Sequence, residues 1–74
     1  MPIVNMKLLE NELDTKQKQE LIGKLTDAVE AVVPGLRDVT FVTIEEIKEG
    51  DWGIGGQPIT VDIVREHAKK NLKG

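Results

Sequence analysis

The sequence predicts an α+β fold built on one strand–helix–strand unit. Three features predict it: an alternating apolar segment at the start, a long segment with helical apolar spacing, and a second β-branched run after Pro34-Gly35. In the first segment, Pro2 to Leu9, one side holds Val4, Met6 and Leu8 and the other Ile3, Asn5, Lys7 and Leu9. One face is fully apolar and the other mixed. Glu10-Asn11-Glu12 ends this strand.

Asp14 then has the chemistry of a helix N-cap, and Gln17 three residues later completes an acidic capping box. From Thr15 onward the apolar set Leu21, Ile22, Leu25, Ala28, Val29 and Val32 recurs at three- and four-residue steps. Lys16, Lys18, Glu20, Lys24, Asp27 and Glu30 occupy the other face. Gly23 costs such a helix about 1 kcal/mol relative to alanine and is read as a close approach to a neighbouring element. Pro34 biases Val33 away from helical geometry, and Gly35 is a natural stop.

The second strand is expected from about Val39 to Ile47. Val39, Phe41 and Ile47 lie on one face and Val42 with Ile44 on the other, so neither side reads as solvent-exposed. A right-handed crossover and a parallel strand pair follow from the connection length. One helix covers only one face; the other calls for a second subunit. After Pro58, Val61, Val64, Ala68 and Leu72 form a helical stripe, which predicts a carboxy-terminal helix over about Thr60 to Leu72. Asp62 near its start and Lys69, Lys70 and Lys73 near its end suit the helix dipole. This helix reads first as a satellite packed on the core, with an oligomer cap or an active-site cover as alternatives.

At 74 residues, the chain is expected to form a single domain, 1–74, with a small core. It has no cysteine and one histidine, so neither a disulfide framework nor a metal cage can supplement that core. Oligomerisation is the remaining common route. The net charge of −3 and the absence of a basic cluster argue against nucleic acid as a partner. Asn5, Lys7 and Glu10 interrupt any apolar leader, and no run is long enough to span a bilayer, so the expected location is cytoplasmic.

Met1-Pro2 carries the chemistry. Trimming of the initiator methionine converts Pro2 from an imide into a secondary amine near the ordinary α-amino range of about 7.7–8.0. An apolar setting lowers that value further, so Pro2 becomes a general base without help from histidine or carboxylate. Read by itself, Pro2 fits first a proline that merely leads a strand, and only the rest of the sequence favours the base.

Gly50-Asp51-Trp52-Gly53-Ile54-Gly55-Gly56 is not a phosphate cradle: it matches neither the dinucleotide fingerprint nor the lysine-bearing P-loop. His67 has no acid–nucleophile partner in the sequence and reads as a surface or packing residue. Glu45 and Glu46 point to opposite sides of a strand and make a poor acid–base pair.

Pro2-Ile3-Val4, a single long helix and the glycine-rich segment with Trp52 together resemble the 4-oxalocrotonate tautomerase family over about the first three-quarters of the chain. The resemblance implies a hexamer of βαβ subunits arranged as a trimer of dimers, with the glycine-rich segment as a small hairpin at a subunit contact. It also implies cofactor-independent proton transfer on an enol or keto acid, with Pro2 as base, Trp52 in the apolar wall and a backbone amide near Leu9 meeting substrate oxygen. Neither cofactor nor metal is implied.

The chain departs from the resemblance at its cations. Family members acting on dicarboxylates use two arginines, whose places here hold Glu12 and Thr40. The loop before Trp52 also carries a one-residue insertion. Arg37, Lys48 and Lys7 are the nearby basic residues that can substitute, Arg37 (a substrate-binding candidate) or Lys48 before Lys7, although each one taken singly reads first as a solvated surface charge. Two other functions remain compatible: hydration or dehalogenation of unsaturated acids by Pro2 with Glu12, and a noncatalytic binding module in which Pro2 only starts a strand.

Overall fold

The computed structural model describes residues 1–72, and its contacts divide the chain into two compact units. The first comprises Met1–Lys7 and Leu13–Glu45. Its elements are drawn from strand β1 (Ile3–Leu9), helix α1 (Thr15–Val32), a 3-10 turn at Arg37–Val39 and strand β2 (Phe41–Ile47). The two strands are hydrogen-bonded neighbours. The Phe41 N–H donates to the Pro2 carbonyl at 2.9 Å, and the Asn5 amide donates to the Thr43 hydroxyl at 2.7 Å. Pairing therefore advances in the same sense along both strands. They run parallel, with α1 as the connection.

The capping box forms as expected. The Gln17 N–H donates to the Asp14 carboxylate at 2.8 Å, and the Asp14 N–H donates to the Gln17 side chain at 3.0 Å. Two otherwise orphaned donors are thus satisfied at the helix start. Leu21, Leu25 and Val29 form the half-buried stripe, but Ile22, Ala28 and Val32 are exposed. Val32 shares the period of the stripe yet sits in the last turn, where 81% of its surface stays accessible. Gly23 also differs from expectation: a Cβ built there meets nothing within 4 Å, so no close approach requires glycine. Gly35, at φ 91°, takes the left-handed conformation that stops the helix.

The second strand begins two residues later than the apolar pattern suggests. Val39 N–H bonds the Leu36 carbonyl at 3.1 Å and Thr40 N–H bonds the Arg37 carbonyl at 3.2 Å, which coils Arg37–Val39 before β2 starts. Asn5 and Thr43 meet through their side chains, which identifies the sheet face shared by Ile3, Asn5, Phe41 and Thr43. On that face Ile3 is 68% and Phe41 49% exposed, whereas Val4, Met6, Val42 and Ile44 on the other are half-buried.

The second unit comprises Leu8–Glu12 and the chain from Glu46 onward. It contains a small antiparallel hairpin of β3 (Gly53–Ile54) and β4 (Gln57–Pro58), then helix α2 (Val61–Leu72). Gly55 and Gly56 have φ 59° and 83°, the paired left-handed conformation of a type I′ hairpin turn. Leu8, Leu9 and Val61, all in this unit, are buried to between 2% and 6% exposure. α2 starts one residue after the expected Thr60 because Thr60 acts as its cap, its hydroxyl accepting from Ile63 N–H at 3.3 Å. The Glu49 carboxylate adds a charge-assisted bond from Val61 N–H at 2.6 Å. Val61 and Val64 follow the anticipated stripe, but Ala68 is exposed and Leu72 is 86% accessible. Lys73 lies outside the described residues. Among those described, no helix is long and apolar enough to cross a membrane.

Candidate active site

Pro2 is half-buried directly before β1, while Met1 is 77% exposed. The bond from Phe41 fixes the Pro2 carbonyl and hence the position of its ring at the strand entrance. With Met1 attached, the ring nitrogen is an imide and has no useful basicity. Release of Met1 changes that atom alone and leaves the bond that holds the residue.

Thr40 and Arg37 belong to the same unit, in the coil that delivers Phe41 to Pro2. The Thr40 hydroxyl donates to the Leu36 carbonyl at 2.7 Å, which occupies its proton and leaves oxygen lone pairs for other donors. Arg37 Nη1 lies 2.8 Å from an Asp27 carboxylate oxygen and 3.2 Å from a Glu30 one. Hydrogen bonding to Asp27, then the charges of Glu30 and Asp27, raise the pKa of Arg37 and hold it charged. A guanidinium shared between two carboxylates has little charge left for an anionic ligand.

Leu9 and Trp52 belong to the second unit. Leu9 is 2% exposed, and its carbonyl accepts from the Glu12 N–H at 3.2 Å, closing a tight turn. Asn11 within that turn has φ 66°, the left-handed conformation that asparagine tolerates at the third position of a type II turn. The turn is anchored by Glu10 N–H, which donates to Ile47 O at 2.8 Å, and by Arg65, whose Nη2 donates to Asn11 O at 2.9 Å. Trp52 is half-buried, its carbonyl accepting from Ile59 N–H at 2.8 Å. It lines a recess of about 350 Å³ with Gly50, Asp51, Gly53, Gln57 and Pro58. A Cβ at Gly53 would lie 3.3 Å from the Gln57 carbonyl, so only glycine fits there without displacing the opposite strand.

The description of the Tautomerase enzyme family matches residues 2–62, most of the chain. The chain belongs to the tautomerase family. Its relative from methicillin-resistant Staphylococcus aureus, named a probable tautomerase, is 45% identical over 56 residues, covering 76% of this chain and 90% of the relative. The crystal structure of that S. aureus protein aligns with a TM-score of 0.70 at 40% identity, over 77% of this chain and 90% of that one. A probable tautomerase of Dickeya dadantii is 32% identical over 60 residues, or 81% of this chain and 90% of its own length. The tautomerase fold of the family is therefore the fold seen here, with its strand–helix–strand unit and hairpin. The family match ends within the first turn of α2.

Sequence reading missed Arg65 and Glu49. Arg65 sits on a helix whose polar side looks uniformly solvated, and Glu49 follows Lys48 in what reads as an ordinary charged loop. Only the approach of α2 to the turns at Asn11 and Glu49 gives either residue a partner. Lys7 and Lys48 are exposed. Among the described residues, no group of His, Cys, Asp and Glu is arranged to hold a metal.

Proposed function

We propose that this family member is a cofactor-independent tautomerase of unsaturated 2-oxo acids, with Pro2 as the general base once Met1 has been removed. The prolyl nitrogen takes a proton from an enol hydroxyl or from carbon next to the ketone and returns it at another carbon. The backbone amide of Leu9 is assigned to the substrate oxygen that gains charge, as a fixed donor needing no reorganisation. Trp52 supplies apolar wall, and Thr40 offers a hydroxyl oxygen to a substrate donor. The observation that carries this reading is Pro2 itself. It stands second in a tautomerase-family chain, half-buried and tied by its carbonyl to Phe41.

A homo-oligomer, and a hexamer in particular, is part of the proposal. Ile3 and Phe41 are exposed on one sheet face of the first unit, and few side chains among the described residues are buried. Burial of that face in assembly would remove apolar surface from water at about 25 cal/mol per Å². The test is ketonisation of a 2-hydroxydienoate, followed by ultraviolet absorbance, with protein whose intact mass shows Met1 absent. Turnover by the trimmed form and near-inactivity of a form retaining Met1 is the expected pair. Equal turnover by both would remove Pro2 as the base.

A further inference from the structure

We propose that Arg65, on α2, is the cation that binds the carboxylate of the substrate beside the turn after β1. The proposal rests on the reading above in taking a 2-oxo acid as the substrate and in assigning the Leu9 amide to its oxygen. Such an acid is an anion, and the chain carries a net charge of −3, so a local cation has to overcome a repulsive background. Arg37 and Lys24 are already paired with carboxylates, the first with Asp27 and Glu30 and the second with Glu20 at 3.1 Å. Arg65 is not. Among the described residues its one hydrogen bond is from Nη2 to the Asn11 carbonyl, and it makes no ion pair.

That bond orients the group without consuming its charge. A guanidinium has five N–H donors, so four remain after the bond to Asn11, enough for a two-point grip on a carboxylate. The acceptor is also fixed. Asn11 is held at φ 66° in a turn closed by Glu12 N–H to Leu9 O and anchored by Glu10 N–H to Ile47 O. Leu9, whose amide is assigned to the substrate oxygen, is two residues from Asn11 in that same turn. Lys48 is in the same unit and is exposed, as Arg65 is, but among the described residues its ammonium has no such orienting bond.

Arg65 also lies beyond the segment that the family description matches, so this cation comes with α2. The acid-binding determinant then lies outside the segment that the family match covers.

The test compares the full chain with Arg65→Gln and Arg65→Lys, using binding and turnover. Gln keeps a donor for the Asn11 carbonyl but removes the charge; Lys keeps the charge without the fork. The binding probe is saturated 2-oxopentanoate, which cannot undergo dienol tautomerisation, with its methyl ester as the uncharged control, both followed by calorimetry. Arg65→Gln should weaken the acid by about 10–100-fold, the range for a lost charge-assisted pair, and leave the ester within about twofold. Arg65→Lys should recover part of the loss. In turnover of a 2-hydroxydienoate, the loss should appear in KM with kcat retained. Unchanged acid binding in Arg65→Gln overturns the proposal, as does an equal loss for acid and ester, which would mark Arg65 as a structural clasp. If neither form turns over the dienoate but the acid-specific binding loss is seen, the tautomerase reading fails and the Arg65 site stands.

Discussion

Phe41 reaches across to Pro2 and donates its N–H to the Pro2 carbonyl at 2.9 Å, so the first residue of β2 holds the residue immediately before β1. The bond leaves the prolyl nitrogen uninvolved. A residue held by its own carbonyl keeps its position whether or not a freed ring nitrogen carries a proton.

Replacing Pro2 by alanine in the trimmed protein should lower kcat by at least about 10²-fold, the lower scale for a positioned acid–base group. Alanine keeps the carbonyl that Phe41 bonds, and leaves a primary amine, so folding should persist with residual turnover. Circular dichroism alongside the ultraviolet assay separates the two effects. A variant with unaltered turnover would show that the proton moves elsewhere.

Arg37→Met is expected to leave KM for a 2-oxo or 2-hydroxydienoic acid within about twofold, because exposed ion pairs of this kind contribute weakly and the guanidinium already serves Asp27 and Glu30. A tenfold rise in KM for the acid, without one for its ester, would return Arg37 to the substrate. The same assay on Arg65→Gln provides the contrast.

Phe41→Glu places a charge on the open sheet face while sparing the backbone bond to Pro2. If that face is an oligomer contact, sedimentation at micromolar concentration should show loss of assembly and, with it, loss of cooperative unfolding. An unaltered sedimentation coefficient would exclude the Ile3–Phe41 face from the interface.

Two substitutions in α1 should move stability in opposite directions. Asp14→Ala removes the carboxylate that accepts from Gln17 N–H and should cost about 1 kcal/mol. Gly23→Ala should gain roughly 0.5–1 kcal/mol, since the added methyl meets nothing within 4 Å and helical backbone no longer carries glycine's entropy cost. Denaturant midpoints at one fixed protein concentration measure both. A destabilised Gly23→Ala would reveal a neighbour at that helix face in the assembled protein.

Local chemistry is what the sequence carries by itself. Asp14 and Gln17 are three residues apart and bond each other through the backbone between them, so the start of α1 is legible from residue order alone. The same holds for the Pro34-Gly35 stop and for the alternation that separates Val4 and Met6 from Ile3 and Asn5. Pro2 is legible as a candidate for the proposed base because the chemistry of its nitrogen depends on its place in the chain. The extent of β2 is not: Val39 fits the apolar alternation, but hydrogen bonds to Leu36 and Arg37 coil that segment, and periodicity does not register them. Arg37 and Arg65 look alike as isolated cations. Tertiary approach makes them different, placing Arg37 between two carboxylates on α1 and Arg65 against a neutral carbonyl at Asn11. Residue type supplies a charge, but the partners that neutralise or orient it come from distant parts of the chain, and only the folded structure selects them.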